Sequence, residues 1–254
     1  MLKKITLILF VATIIVGCEK ERALEFTTEN LTENDLEICE GKECPEITVD
    51  YVMASGNEKI AEEINRKIQE FVISSFSIEE EPIIVNSVKE AAENFAGIYF
   101  KDKAEFDMTG LYSAEITVRE IYNSPEIISF EMYQYLYTGG AHGYGSTRFL
   151  NIDPSTGKEY AWSDIFKNTE EFTAIAERKF RADKNISPDQ PINEPGFWFE
   201  ENTFYLPPSV GFTQDSLIFI YNQYDIASYA EGPIELKLSK EVARPYLKIS
   251  EKEK

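Results

Sequence analysis

The chain has 254 residues and carries 45 acidic against 25 basic side chains, a formal net charge of −20. So acidic a surface repels nucleic acid, and no basic stripe supplies a phosphate footprint, so no nucleic-acid partner is expected. The same charge draws in a cationic partner, although plain solubility also produces it, and the length fits one large domain or two small ones.

Lys3 and Lys4 precede an apolar run from Ile5 to Val16. That run is too short to cross a hydrocarbon layer of roughly 30 Å comfortably. A basic start, a short apolar core and a small residue at the break describe a secretory signal over residues 1–17. Ile15-Val16-Gly17-Cys18 resembles the lipobox of bacterial lipoproteins, which implies cleavage before Cys18 and a lipid on that cysteine. A plain signal peptide or N-terminal anchor is the alternative. The expected location is the bacterial cell envelope, lipid-anchored. Glu19 after the cysteine, where an Asp would signal inner-membrane retention, weakly favours an outer-membrane or periplasmic face. Residues 18–43 are polar and acidic and read as a tether. Cys39 and Cys44 are the only other cysteines, and an oxidising compartment favours their pairing. The closed loop is short, so the expected stabilisation is about 2 kcal/mol. A zinc site needs two more ligands nearby, and none is there.

The globular part begins with "ITVDYVM", which alternates as a strand does. Ile60, Ile64, Ile68 and Phe71 then recur at helical spacing, and a second helix after Ser87 buries Val88, Ala91, Ala92, Phe95 and Ile98. The period changes to two in "YSAEITVREIY" and "EIISFEMYQYLYTGG", which make a hairpin around Asn123-Ser124-Pro125. Tyr133, Tyr135 and Tyr137 line one face of it and are expected to be half-buried. "RFLNID" is a further strand. Phe172, Ile175, Ala176 and Phe180 mark a third helix. "FWFEENTFYLPPSVG" and "DSLIFIYNQYDIASYAEGPIELKL" read as strands with turns, and Ser239 caps a short last helix. The order gives an α+β fold, helices packed on mostly antiparallel sheet, in two adjoining halves over residues 44–141 and 142–250.

Three stretches carry a family resemblance. "YLYTGGAHGYGSTRFLNIDPSTGKEYAWSDIF", "LIFIYNQYDIASYAEG" and "CPEITVDY" before "INRKI" resemble the RsiV-like and PdaC-type extracytoplasmic domain family. The family pattern falls on Tyr137, Gly139, Gly140, His142, Asn151 and Asp153, and on Tyr224, Ile226 and Tyr229, with Asp225 where Glu is usual. Known members are a lysozyme-sensing anti-sigma factor and the N-terminal region of a peptidoglycan deacetylase. The resemblance implies the extracytoplasmic domain only, without sigma-factor control or deacetylation. A lysozyme-like cationic protein or peptidoglycan is the candidate partner, and the net charge of −20 is consistent with a cationic one.

His142 is the single histidine, set among glycines. A general base needs a hydrogen-bonded partner and an orienting third group, and no nucleophile elbow is present. No zinc-binding H-E-x-x-H, EF-hand or Walker spacing appears, so no catalytic residue, metal or cofactor is expected. The glycines favour a structural crossing between the halves. Tyr224, Asp225 and Tyr229 follow an apolar strand and are candidates for partner contact. Trp198 and Tyr205 offer aromatic faces to sugar rings, with core packing the expectation. The overall expectation is a non-catalytic binding module. The alternatives are a cell-wall glycan hydrolase or a structural lipoprotein.

Overall fold

A computed structural model describes residues 23–78, 84–106 and 110–249. The expected signal sequence and Cys18 lie outside them. None of the helices among the described residues is long and apolar enough to cross a membrane.

The fold is α+β, built on two sheets. The first sheet has strand order β1-β2-β3-β4-β5: β1 (Glu25–Thr32), β2 (Glu46–Ser55), β3 (Ser113–Asn123), β4 (Ile128–Tyr137) and β5 (Tyr144–Ile152). Only β2 and β3 are parallel. A parallel pair needs a long crossover, and α1 (Glu58–Ser75) and α2 (Val88–Phe106) supply it. Asn57 caps α1, its side chain accepting the N–H of Ile60. Ser87 Oγ accepts the N–H of Glu90, whose carboxylate accepts the N–H of Asn86. Ala114, Ile116 and Val118 alternate toward the helices and share one core with Ile60, Ile64, Ile68, Phe71, Ala92 and Phe95. Toward the C-terminal end of α2, Tyr99 is buried and Ile98 half-buried.

The second half carries α3 (Trp162–Ile165), α4 (Thr169–Asp183) and an antiparallel sheet of β6 (Gly211–Phe212), β7 (Ser216–Tyr221) and β8 (Ile234–Ser239). Its core is largely aromatic, with Phe172, Phe180, Phe199, Phe212, Phe219 and Tyr221 each no more than 2% exposed. Ser239 caps α5 (Lys240–Ala243), accepting the N–H of Val242.

Three expectations are corrected. The stretch expected as an acidic tether is folded from Glu25 onward. β1 pairs antiparallel with β2 along its length. Phe26 and Leu31 pack on the first core, while Leu36 and Cys39 are buried beneath two 3-10 turns. Backbone pairing, rather than side-chain burial, holds this polar strand, so hydropathy concealed it. Second, β5 hydrogen-bonds β4, so the first sheet extends to Ile152 rather than ending at 141. Third, "FWFEENTFYLPP" forms no strand. Glu201 and Asn202 take left-handed conformations, Asn193 binds both N–H and C=O of Phe199, and Pro207-Pro208 has no N–H to give.

Side chains join the halves along the outer edge of β5. The N–H groups of Gly145, Thr147 and Phe149 donate to Gln223 Oε1, Asn222 Oδ1 and Ser209 Oγ at 3.4, 2.7 and 3.1 Å. Asn222 also donates to Thr147 O at 3.2 Å, standing in for a missing strand. Asn151 is 5% exposed and donates to Val210 O at 2.7 Å. An edge that would otherwise template aggregation is thereby covered.

Candidate functional site

The β4–β5 connection brings His142 to the surface, and its glycines have separate jobs. Gly139 takes φ +84°, a conformation L side chains avoid. Gly143 is buried because Tyr135 lies across it; a Cβ there would sit 2.3 Å from that ring and 2.7 Å from Leu136 O. Gly145 makes room for Tyr133 in the same way, with a Cβ 3.3 Å from its hydroxyl. Gly143 and Gly145 thus seat the tyrosine row. Gly140 has no such constraint, its nearest neighbour lying 3.9 Å away. Tyr133, Tyr135 and Tyr137 are half-buried on the face turned from the helices, where Glu115 and Thr117 stand opposite Tyr135 and Tyr133.

His142 meets the loop between β7 and β8. Its ring stacks on Tyr229 at 3.8 Å and 24°. Its Nδ1 lies 3.1 Å from Gly143 O and its Nε2 lies 3.3 Å from Tyr224 Oη. A carbonyl only accepts, so in the neutral ring Nδ1 donates and Nε2 accepts from the phenol. Tyr229 Oη donates to the same Gly143 carbonyl at 3.0 Å. The structure therefore gathers His142, Tyr224 and Tyr229 into one cluster, 82 and 87 residues apart in sequence.

Tyr224 has φ +71° and is 50% exposed. A non-glycine residue in this region is strained, and such strain concentrates at functional positions. Neighbours hold the turn. The N–H of Asp225 donates to Asn222 O at 3.0 Å, and the N–H of Asn222 donates to Asp225 Oδ2 at 2.7 Å. Tyr205 Oη donates to Asp225 O at 3.2 Å. Trp198 and Tyr205, expected in the core, are 47% and 40% exposed beside this loop. Sequence alternation of aromatic residues carried no signal for that, because their placement depends on the left-handed turn at Glu201 and Asn202.

Other motif residues are structural. Asp153 shapes the turn after β5. Burial pushes its carboxyl up, but hydrogen bonds from Ser155 and Thr156 outweigh that and leave it below the usual range. The turn places Gly157, at φ +74°, against α1, where a Cβ would lie 3.2 Å from Ile60 O. Cys39 and Cys44 form a disulfide. An open concavity of about 690 Å³ beside it is lined by Glu33, Asp35, Glu37 and Glu40, away from the aromatic cluster. Among the described residues no group of three His, Cys, Asp or Glu is placed to hold a metal ion.

Comparison with known proteins follows the two halves. Residues 38–144 match the family model described as deacetylase PdaC, and residues 163–241 match that of a protein of unknown function, DUF3298. No curated protein matches. Among solved structures, a DUF3298 family member from Bacteroides fragilis superposes with a TM-score of 0.67 at 24% identity, over 89% of this chain and 94% of the other. A DUF3298 family protein from Pseudomonas aeruginosa gives 0.58 at 18%, over the same shares. At these identities the likeness is one of fold.

Proposed function

We propose, for a chain that belongs to the PdaC/DUF3298 type of extracytoplasmic domain, a non-catalytic binding module held at the cell envelope by a lipid on Cys18. Its partner is a cationic protein such as a lysozyme, or a cell-wall glycan. The observation that carries this reading is Tyr224: a large ring, half exposed, kept in a strained conformation and backed by His142 and Tyr229. A preorganised aromatic side chain on a rigid support is the profile of an interface anchor. The net charge of −20 supports a cationic partner by steering its approach.

Titration calorimetry and pull-down against lysozymes and peptidoglycan fragments test the proposal. Tyr224→Ala should weaken the complex by about 2 kcal/mol, as interface anchors do, without lowering the melting temperature. Absence of binding to every one of these partners at low salt sinks the reading. The description of the first family model as a deacetylase defines the competing one, a glycan-modifying hydrolase. That reading requires turnover of muropeptides which disappears in His142→Ala while the fold persists. The imidazole nitrogens face a carbonyl and a phenol, an arrangement suited to fixing a loop.

A further inference from the structure

Four residues with exposed aromatic side chains lie in or beside one short segment, Gln223 to Ile226. Tyr224 belongs to it. Tyr205 Oη is bonded to the carbonyl of Asp225. The N–H of Trp198 donates to Ile226 O at 3.0 Å. Tyr144 precedes Gly145, whose N–H reaches Gln223 Oε1. Each ring is 40–50% exposed, and among the described residues they are four of the five exposed large aromatic side chains. So concentrated an aromatic patch marks an interaction site rather than ordinary surface.

The side chain among them is a carboxylate. Asp225 is exposed, and Oδ2 is occupied by the N–H of Asn222. Its charge is felt by the rings beside it. Burial comes first and Asp225 second in raising the phenol of Tyr144, and Tyr205 is raised in the same order, with Glu200 adding a further contribution. Aromatic faces are negative and attract cations, and a carboxylate beside them adds a direct ionic contact. Guanidinium suits this combination best, because its plane stacks on a ring while its edge binds the carboxylate.

The geometry points to a recognition site for arginine from a basic segment of a partner protein, seated on Tyr144, Tyr205 and Tyr224 against Asp225. This rests on the reading of the chain as a binding module and adds the chemistry that the module selects. Charge complementarity with a chain of net charge −20 favours a basic protein over a neutral glycan as the occupant.

Binding of a hexa-arginine peptide to the full chain in detergent, followed by calorimetry and tryptophan fluorescence, tests the site. Asp225→Asn keeps an acceptor for the N–H of Asn222 and removes the charge. Tyr144→Leu removes one aromatic face. Glu40→Gln, beside the disulfide, removes a distant charge. The site predicts about tenfold weaker binding for each of the first two variants and less than about twofold for the third. Equal losses in Asp225→Asn and Glu40→Gln would show attraction by overall charge and overturn the site. Binding of glucosamine oligosaccharides but not of the peptide would make the occupant a glycan and overturn it too. No peptide binding, with Tyr224-dependent binding to lysozyme or peptidoglycan retained, removes the arginine site and leaves the module standing.

Discussion

A methyl group at Gly143 would lie 2.3 Å from the Tyr135 ring and 2.7 Å from a backbone oxygen, so one side chain and one strand must both yield. Gly143→Ala should therefore destabilise the fold by about 1–3 kcal/mol in urea unfolding, the usual range for overpacking. Gly140→Ala meets nothing closer than 3.9 Å and should leave stability unchanged or raise it by up to about 1 kcal/mol. The pair separates two glycines that look alike in the motif. Sequence spacing announced the cluster of glycines around His142 but not which were obligatory. That depends on where Tyr133 and Tyr135 on the neighbouring strand lay their rings. Asp153 makes a second prediction. Its depressed carboxyl contributes stability that is present above the unfolded value of about 3.8 and is lost as pH falls through the lower folded value. Asp153→Asn should flatten that part of the acid unfolding profile.

At the scale of elements, the periodic segments were legible. The apolar stripe of α1, the hairpin of β3 and β4, and the Ser239 cap follow from spacing and capping chemistry. β1 did not, because a strand of "EFTTENLT" buries little and is held by pairing with β2. The 3-10 turns after it are seated on α2. Lys42 lies 5.0 Å over Phe100, Lys103 pairs with Glu43, and the Ile38 side chain packs at Gly97. The Cys39–Cys44 bridge closes that arrangement. Replacing both cysteines with serine should cost about 2 kcal/mol in urea unfolding. Asn222→Ala should cost about 1 kcal/mol, since it strips a half-buried amide of its partner, and should raise hydrogen exchange at Thr147. The candidate site was only half legible. Its members His142, Tyr224 and Tyr229 were visible as motif residues, but their meeting depends on the side-chain seam along β5.

For the whole molecule, tyrosine burial sets the alkaline limit. Burial is the first cause raising the phenols of Tyr51, Tyr112, Tyr133, Tyr144, Tyr160, Tyr205 and Tyr221. Tyr112, which donates to Asp102 at 2.8 Å, is pushed up to about 12. These groups ionise near pH 10 once unfolded, so their contribution is complete below about pH 10 and is lost as pH rises toward the folded values. The melting temperature should fall steeply above about pH 10, together with the appearance of tyrosinate absorbance, and less steeply in Tyr112→Phe.

Because β1 starts at Glu25, only six residues, Glu19 to Leu24, separate it from Cys18. Fully extended, that leash reaches at most about 25 Å. Were the lipid proposed for Cys18 in place, the folded body would ride close against the bilayer instead of ranging outward on a long arm. Such a protein would sample a thin shell of the envelope. It would meet what has already arrived at the membrane, and neighbouring copies would compete for space along the surface rather than for reach above it.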